Sequence, residues 1–154
     1  MTTETAVRSA LLTLDAPREV ARIVDAIRQQ VFHTLRRRGV VLGLSGGIDS
    51  SVCAALCARA LGADRVTALL MPETDSASET TMLGEVVAGH FGIKTVMENI
   101  TPILEAAGCY RRRDEGIRAV VPEYGPGYKS KLVLPSAVDR YKVFSIVVEG
   151  PDGQ

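Results

Sequence analysis

Several features that mark other classes of protein are scarce or missing in this chain of 154 residues. No apolar run approaches the about 20 residues that a membrane-spanning helix needs, and the N-terminus lacks the basic and then apolar pattern of a signal peptide. The formal net charge is zero, so charge does not favour nucleic acid as a main partner. The three cysteines are an odd number without disulfide spacing, which favours a reducing, cytoplasmic location.

The composition that remains is that of a folded domain. Hydrophobic residues make up 46% of the chain and charged residues 23%, which excludes a disordered segment. The length suits one core, and we expect a single nucleotide-binding domain over residues 1–154. Residues 1–14 are weakly patterned, and both a flexible arm and a short docked helix stay open.

Hydrophobic spacing predicts helices alternating with strands, hence an α/β fold with an open, mostly parallel sheet and helices on both faces. The apolar strand at 40–44 is expected to be central in that sheet. In the third helix, Met82, Val86 and Phe91 are expected to point inward. The predicted elements are a helix capped by Asp15 and stopped by Gly39, a strand at 40–44, a helix ending before Gly62, a strand at 65–71, a helix at 78–91, a strand at 93–97 and an antiparallel hairpin within 128–149.

The stretch from residue 40 to residue 51 joins the first strand to the second helix through glycines and serines. Such a turn presents backbone N–H groups, and the helix that follows adds its own free N–H groups and the positive end of its dipole. Gly46 and Gly47 permit positive φ and close approach of a phosphate, while Ser45 and Ser50 add hydroxyl donors. A carboxylate at Asp49 among phosphate donors suits Mg²⁺. The stretch therefore predicts a site for a nucleotide polyphosphate.

Three other motifs compete for this stretch. A Walker A loop is excluded because the chain contains no Gly-Lys pair, and a G-x-G-x-x-G motif fails because Ser45 replaces its second glycine. The nucleophile elbow G-x-S-x-G matches residues 43–47 and would make Ser45 an esterase nucleophile. That hypothesis lacks the strands expected before the serine, and its downstream histidine would have to be His90, within a predicted amphipathic helix.

Residues 45–50, Ser-Gly-Gly-Ile-Asp-Ser, resemble the SGGxDS signature of the PP-loop ATP pyrophosphatases. From the first helix to about Ile103 the chain is most similar to the ammonia-dependent NAD synthetases. Gly43-Leu44 before the loop, Met71-Pro72 after the second strand and Asn99-Ile100 after the third carry this similarity. The resemblance implies a Rossmann-like fold of the adenine nucleotide alpha hydrolase type.

The resemblance also implies an activity and its participants. ATP would adenylate the carboxylate of deamido-NAD with release of pyrophosphate, Mg²⁺ would be bound, ammonia would displace AMP, and the enzyme would be a homodimer without membrane or nucleic-acid partners. Asp49, Ser45 and Ser50 would serve catalysis, Asp49 as the metal ligand. The nucleotide would be bound by Gly43, Leu44, Ser45, Gly46, Gly47, Ile48, Asp49, Ser50, Leu70 and Met71, the last two at the adenine base.

Two alternatives remain beside this interpretation. The chain could be another PP-loop ligase or thiolase, although the Cys-x-x-Cys pair common in sulfur-transfer members is missing, or it could be a non-catalytic ATP-binding module or subunit. The family's pattern continues for roughly as long again, with a basic helix, a Gly-Thr loop bearing a metal-binding glutamate and a lysine-containing segment. We expect the given sequence to represent the N-terminal half of that pattern.

Overall fold

The structure is a computed structural model that describes residues 14–76, 78–133 and 145–153. These residues form two compact units, one extending to Thr101 and the other beginning at Pro102. The single domain over 1–154 stays a prediction, and the arm at 1–14 falls outside the described residues except for Leu14. In the part of the chain that is described, no helix has both the length and the apolar character needed to cross a membrane.

The first unit alternates helices and strands, which confirms the predicted α/β class. Three parallel strands pair in the order β1-β2-β3, with Val40 opposite Val66 and Thr67 opposite Lys94. The elements are α1 (Ala16–Arg28) with a π-helical continuation (Gln29–Thr34), β1 (Val40–Gly43), α2 (Ile48–Leu61), a 3₁₀ turn (Ala63–Arg65), β2 (Val66–Leu70), α3 (Ser78–Phe91), β3 (Lys94–Met97) and the start of α4 (Thr101–Ala106).

The middle strand of the described sheet is β2, so the prediction of a central β1 is wrong for the described residues. Val66, Ala68 and Leu70 of β2 are all buried, whereas Val41 of β1 is 65% exposed. The reason is pairing, since β1 has a hydrogen-bonded neighbour along one edge only in the three-stranded sheet described. An apolar strand sequence therefore did not distinguish a central position from an edge.

The inward face of α3 differs from the prediction at two of the three residues. Met82 and Val86 are 56% and 63% exposed, while Phe91 packs against the core as predicted. Gly84 and Ala88 are buried, and a Cβ at Gly84 would lie 2.7 Å from Leu70 Cδ2. The prediction was wrong at Met82 and Val86 because small residues, not large ones, make the closest contact with the sheet.

The start of α1 is as predicted and its end is not. Asp15 Oδ1 accepts a hydrogen bond from the Arg18 N–H at 3.2 Å, as an N-cap does. The helical segment ends at Thr34, and Arg36 takes the left-handed φ of 51° that Gly39 was expected to supply. Gly39 has another role, because a Cβ there would lie 2.3 Å from the Arg65 carbonyl oxygen.

The second unit contains the rest of α4, then α5 (Cys109–Arg118), β4 (Lys129–Val133) and β5 (Ser145–Glu149). The two strands pair antiparallel, with Lys129 opposite Glu149, which confirms the predicted pairing. The connection at 134–144 lies outside the described residues. Ile117 and Tyr124 are buried, and Arg118 Nε donates to the Tyr124 carbonyl at 2.8 Å.

Replacing Gly39 by alanine tests the close approach to Arg65. The added methyl group meets a backbone oxygen that cannot rotate away, so we expect a loss of about 1–3 kcal/mol in the free energy of unfolding. That loss corresponds to a drop of roughly 3–10 °C in Tm, measured by thermal unfolding. Gly89→Ala is the matched control, since a Cβ there meets nothing within 4 Å; an equal Tm for the two variants would contradict the packing argument.

Candidate functional site

The loop that follows β1 leaves the sheet beside the end of β2. The Leu44 N–H donates to the Leu69 carbonyl at 2.9 Å, one residue beyond the last residue of β1. Leu44 is 4% exposed and belongs to the core. Since both strands run parallel, the loop starts at the edge where their carboxyl ends meet, which is where open α/β sheets bind ligands.

Within the loop, the Ser50 hydroxyl has two backbone partners. Its oxygen accepts from the Ser45 N–H at 3.3 Å, and its O–H donates to the Gly47 carbonyl at 3.0 Å. The Ser45 and Ser50 hydroxyl oxygens are 3.2 Å apart, and because Ser50 uses its one hydrogen on Gly47, Ser45 is the donor in that pair. The Ser51 hydroxyl also donates to the Gly47 carbonyl, at 2.8 Å. The serine hydroxyls thus fold the loop on itself.

Fewer of the backbone N–H groups of the loop are hydrogen-bonded than of its hydroxyls. Gly47 is the N-cap of α2 and has extended φ and ψ, so its carbonyl faces the first turn and accepts from the Ser51 N–H at 3.0 Å. Within residues 14–76, 78–133 and 145–153, the N–H groups of Gly46, Ile48 and Asp49 have no hydrogen-bond acceptor. Unpaired amides at a helix N-terminus form an anion-binding surface.

Asp49 lies in the first turn of α2 and is exposed. Its carboxylate has neither a hydrogen bond nor an ion pair with any residue that the structure describes. An acidic side chain here is favoured by the helix dipole alone. The described residues contain no cluster of three or more His, Cys, Asp or Glu side chains that could hold a metal. One free carboxylate suits Mg²⁺, which is usually bound by one or two carboxylates together with phosphate oxygens and water.

A cavity of about 130 Å³ opens beside the loop at the ends of β1 and β2. It is smaller than the roughly 300–1,000 Å³ of typical ligand pockets and can take one part of a nucleotide. Leu70 is only 2% exposed and its carbonyl accepts from the Glu98 N–H at 2.9 Å, whereas Met71 is 45% exposed. The lining residues are Gly43, Leu44, Ser45, Leu69, Leu70, Met71, Pro72, Thr80 and Thr81.

The structure brings together most of the residues that the sequence singled out. Gly43, Leu44, Ser45, Leu70 and Met71 line this one cavity, and residues 46–50 continue the same loop into α2.

Sequence reasoning missed Thr80 and Thr81 of α3, which form the far wall of the cavity. One signal could have found them. Thr80, Thr81, Gly84 and Ala88 repeat at helical spacing, and the two small residues mark the face of α3 that packs on the sheet.

The surroundings of Ser45 do not support a nucleophile elbow. The Ser45 hydroxyl pairs with Ser50 and accepts from the Gly47 N–H at 3.3 Å. His90 lies in the last turn of α3 with its ring centroid 4.7 Å from that of Phe91. Among the described residues, Ser45 therefore has no base to activate its hydroxyl.

Comparison with known proteins agrees with the loop and the fold. The family model for NAD synthase matches residues 19–119. The NH₃-dependent NAD⁺ synthetase of Mesorhizobium japonicum is 52% identical over 146 residues, which are 94% of this chain and 46% of that protein.

Two solved structures are similar to parts of the chain. The NH₃-dependent NAD synthetase of Campylobacter jejuni has a TM-score of 0.58 and 33% identity, and covers 64% of this chain and 42% of its own. The glutamine-dependent NAD⁺ synthetase of Acinetobacter baumannii, solved with ADP, has a TM-score of 0.50 and 26% identity over 69% of this chain and 20% of its own.

The chain thus spans just under half the length of the curated relatives that it matches. The matched residues contain the whole parallel sheet, the loop and the cavity described above. On the family-model match over residues 19–119 and the identity to the Mesorhizobium protein, the chain belongs to the NAD synthase family.

Proposed function

We propose that this chain supplies the ATP-binding part of an ammonia-dependent NAD⁺ synthetase. The observation that carries the proposal is the group of free amides at Gly46, Ile48 and Asp49, set at the carboxyl edge of parallel strands. Those amides would bind the β and γ phosphates of ATP, helped by the dipole of α2. Membership of the NAD synthase family supports ATP over other anions.

Each residue of the loop has a proposed role. Gly46 and Ile48 present free backbone N–H groups to the phosphates, Gly47 caps α2, and Gly43 and Leu44 line the cavity. Ser45 and Ser50 hold that backbone in place through their paired hydroxyls and act on the reaction by positioning.

Asp49 is the proposed metal ligand, because its carboxylate is exposed and free among the described residues. When bound, Mg²⁺ supplies positive charge next to the pyrophosphate that leaves.

The cavity beside the loop is the proposed place for the adenine base. Its wall includes Leu70 and the exposed side chain of Met71, whose Cε lies 3.1 Å from where a Cβ on Gly43 would be. A side chain at Gly43 would therefore crowd Met71 at the wall of the cavity. The A. baumannii relative was solved with ADP, which supports an adenine nucleotide in this family.

The proposed reaction has two steps. An oxygen of the deamido-NAD carboxylate attacks the α-phosphorus of ATP and pyrophosphate leaves, which forms an acyl-adenylate. Ammonia then attacks the acyl carbon, and AMP leaves as the amide forms. The loop contributes positioning and hydrogen bonds to developing negative charge. We further propose a homodimer that works in the cytoplasm.

Calorimetric titration of the chain with ATP, with and without Mg²⁺, tests the proposal. We expect saturable binding that tightens with Mg²⁺, because the loop amides and Asp49 act on the same phosphates. GTP is the control ligand, since the small cavity should discriminate between bases. The thermal unfolding profile shows whether the chain is folded. If the folded chain does not bind ATP, the site is refuted.

Asp49→Asn tests the metal role. The substitution keeps the shape of the side chain and removes its charge, so the Mg²⁺-dependent gain in ATP affinity should disappear while binding of ATP without metal is retained or improves. Asp64→Asn is the matched control. Asp64 is also exposed, and it precedes β2, so it lies at the amino ends of the parallel strands, away from the loop. If Asp49→Asn kept the full Mg²⁺-dependent gain in ATP affinity, Asp49 would not be a metal ligand.

Ser50→Ala tests the internal support of the loop. It removes the acceptor of the Ser45 N–H and a donor to the Gly47 carbonyl, and we expect ATP affinity to fall by about 1–2 kcal/mol, or roughly 5–30-fold. Ser51→Ala is the control, because the Gly47 carbonyl keeps its bonds from the Ser50 hydroxyl and the Ser51 N–H. If calorimetry gave equal losses of ATP affinity for both variants, Ser50 would have no greater role than Ser51 in supporting the loop.

A further inference from the structure

The phosphate-side loop and α3 meet at two glycines. Gly46 has a left-handed φ of 73°, and a Cβ there would lie 2.3 Å from Leu83 Cβ and 2.9 Å from the Gly84 nitrogen. These distances are too short for any side chain. Gly46 is therefore required by the backbone of α3 itself, in addition to any phosphate that approaches the loop.

Gly84 makes a second close contact from the side of the helix, with the sheet and with the residue before the loop. A Cβ there would lie 2.7 Å from Leu70 Cδ2 and 3.1 Å from the carbonyl oxygen of Leu44, the residue that precedes the loop. Leu44 is itself fixed to β2 through its N–H bond to Leu69. The same turn of α3 thus touches the loop at Gly46 and the strand end from which the loop departs.

The other glycine of α3 provides a contrast. A Cβ at Gly89 would meet nothing within 4 Å. Glycine in a helix interior is unfavourable relative to alanine, and at Gly89 no contact in the described residues offsets that disadvantage. At Gly84 the close packing does, which identifies Gly84 as the glycine of this helix with a structural requirement.

We propose that Gly84 is a positioning residue for the loop. By letting α3 approach Leu70 and Leu44, it places the helical turn that contacts Gly46. It thereby sets the height of the loop above the sheet and the direction of the free amides at Gly46, Ile48 and Asp49. This inference rests on the proposed ATP site for its effect on binding, while the effect on loop geometry is independent of any ligand.

The first test needs no nucleotide. Amide resonances of Ser45, Gly46 and Gly47 are compared by two-dimensional NMR in the full chain and in the variants Gly84→Ala and Gly89→Ala. We expect the loop resonances to move in Gly84→Ala and to stay in place in Gly89→Ala, since only the first methyl group meets backbone next to the loop. Unmoved loop resonances in Gly84→Ala would overturn the proposal, whatever the chain binds.

The second test measures binding of MgATP by calorimetry at a temperature where every variant is folded. Gly84→Ala should weaken binding at least tenfold, and Gly89→Ala should change it less than twofold. Val31→Ala controls for stability, because Val31 is buried in the separate cluster with Val24, Ala60 and Leu61. It should lower Tm and leave the Kd unchanged. An unchanged Kd in Gly84→Ala would refute the positioning role.

If Gly84→Ala does not fold, the unaltered chain still tests whether the loop and α3 are coupled. Titration with MgATP should shift the amide resonances of Leu83 and Gly84 together with those of Gly46 and Asp49, and leave Gly89 unshifted. A response confined to the loop would refute coupling to α3. Where Gly84→Ala does fold, failure of the unaltered chain to bind MgATP would refute the proposed function alone, because the ligand-free comparison tests the inference about Gly84 separately.

Discussion

The parallel pairing of β1 with β2 determines where every part of the candidate site lies. The bond from the Leu44 N–H to the Leu69 carbonyl extends that pairing past the last residue of β1 and holds the start of the loop at the core. From this point the chain must reach the N-terminus of α2 within three residues, Ser45, Gly46 and Gly47. The first amides of any α-helix lack intrahelical partners, and this short connection holds those of α2 close to the ends of β1 and β2, where the cavity lies.

The loop has two kinds of polar groups: hydroxyls that are hydrogen-bonded within the loop, and amides and a carboxylate that are free among the described residues. Hydroxyls of Ser45, Ser50 and Ser51 are engaged with one another or with the Gly47 carbonyl, whereas several amides and the Asp49 carboxylate are free among the described residues. A loop that is already ordered by its own hydrogen bonds loses little conformational freedom when a ligand binds. In the proposed ATP site, the serines would contribute to affinity by ordering the loop before the ligand binds.

Sequence reasoning predicted the order of helices and strands, the cap at Asp15 and the antiparallel pair near the C-terminus, because each depends on local spacing or on one side chain. It failed where the outcome depends on distance between elements. Gly39 and Gly84 are required by close contacts with residues from other elements, which periodicity does not reveal. For the site, the motif located the loop, but the wall formed by Thr80 and Thr81 required knowing which face of α3 meets the sheet.

In the described sheet, one side of β1 has no neighbouring strand, which bears on how molecules of the protein associate. Val41 is 65% exposed on a strand that is paired along one edge only in the described sheet. Unpaired backbone along an apolar edge is a template on which strands of other molecules can add. Any association of molecules through this edge would increase with the protein concentration.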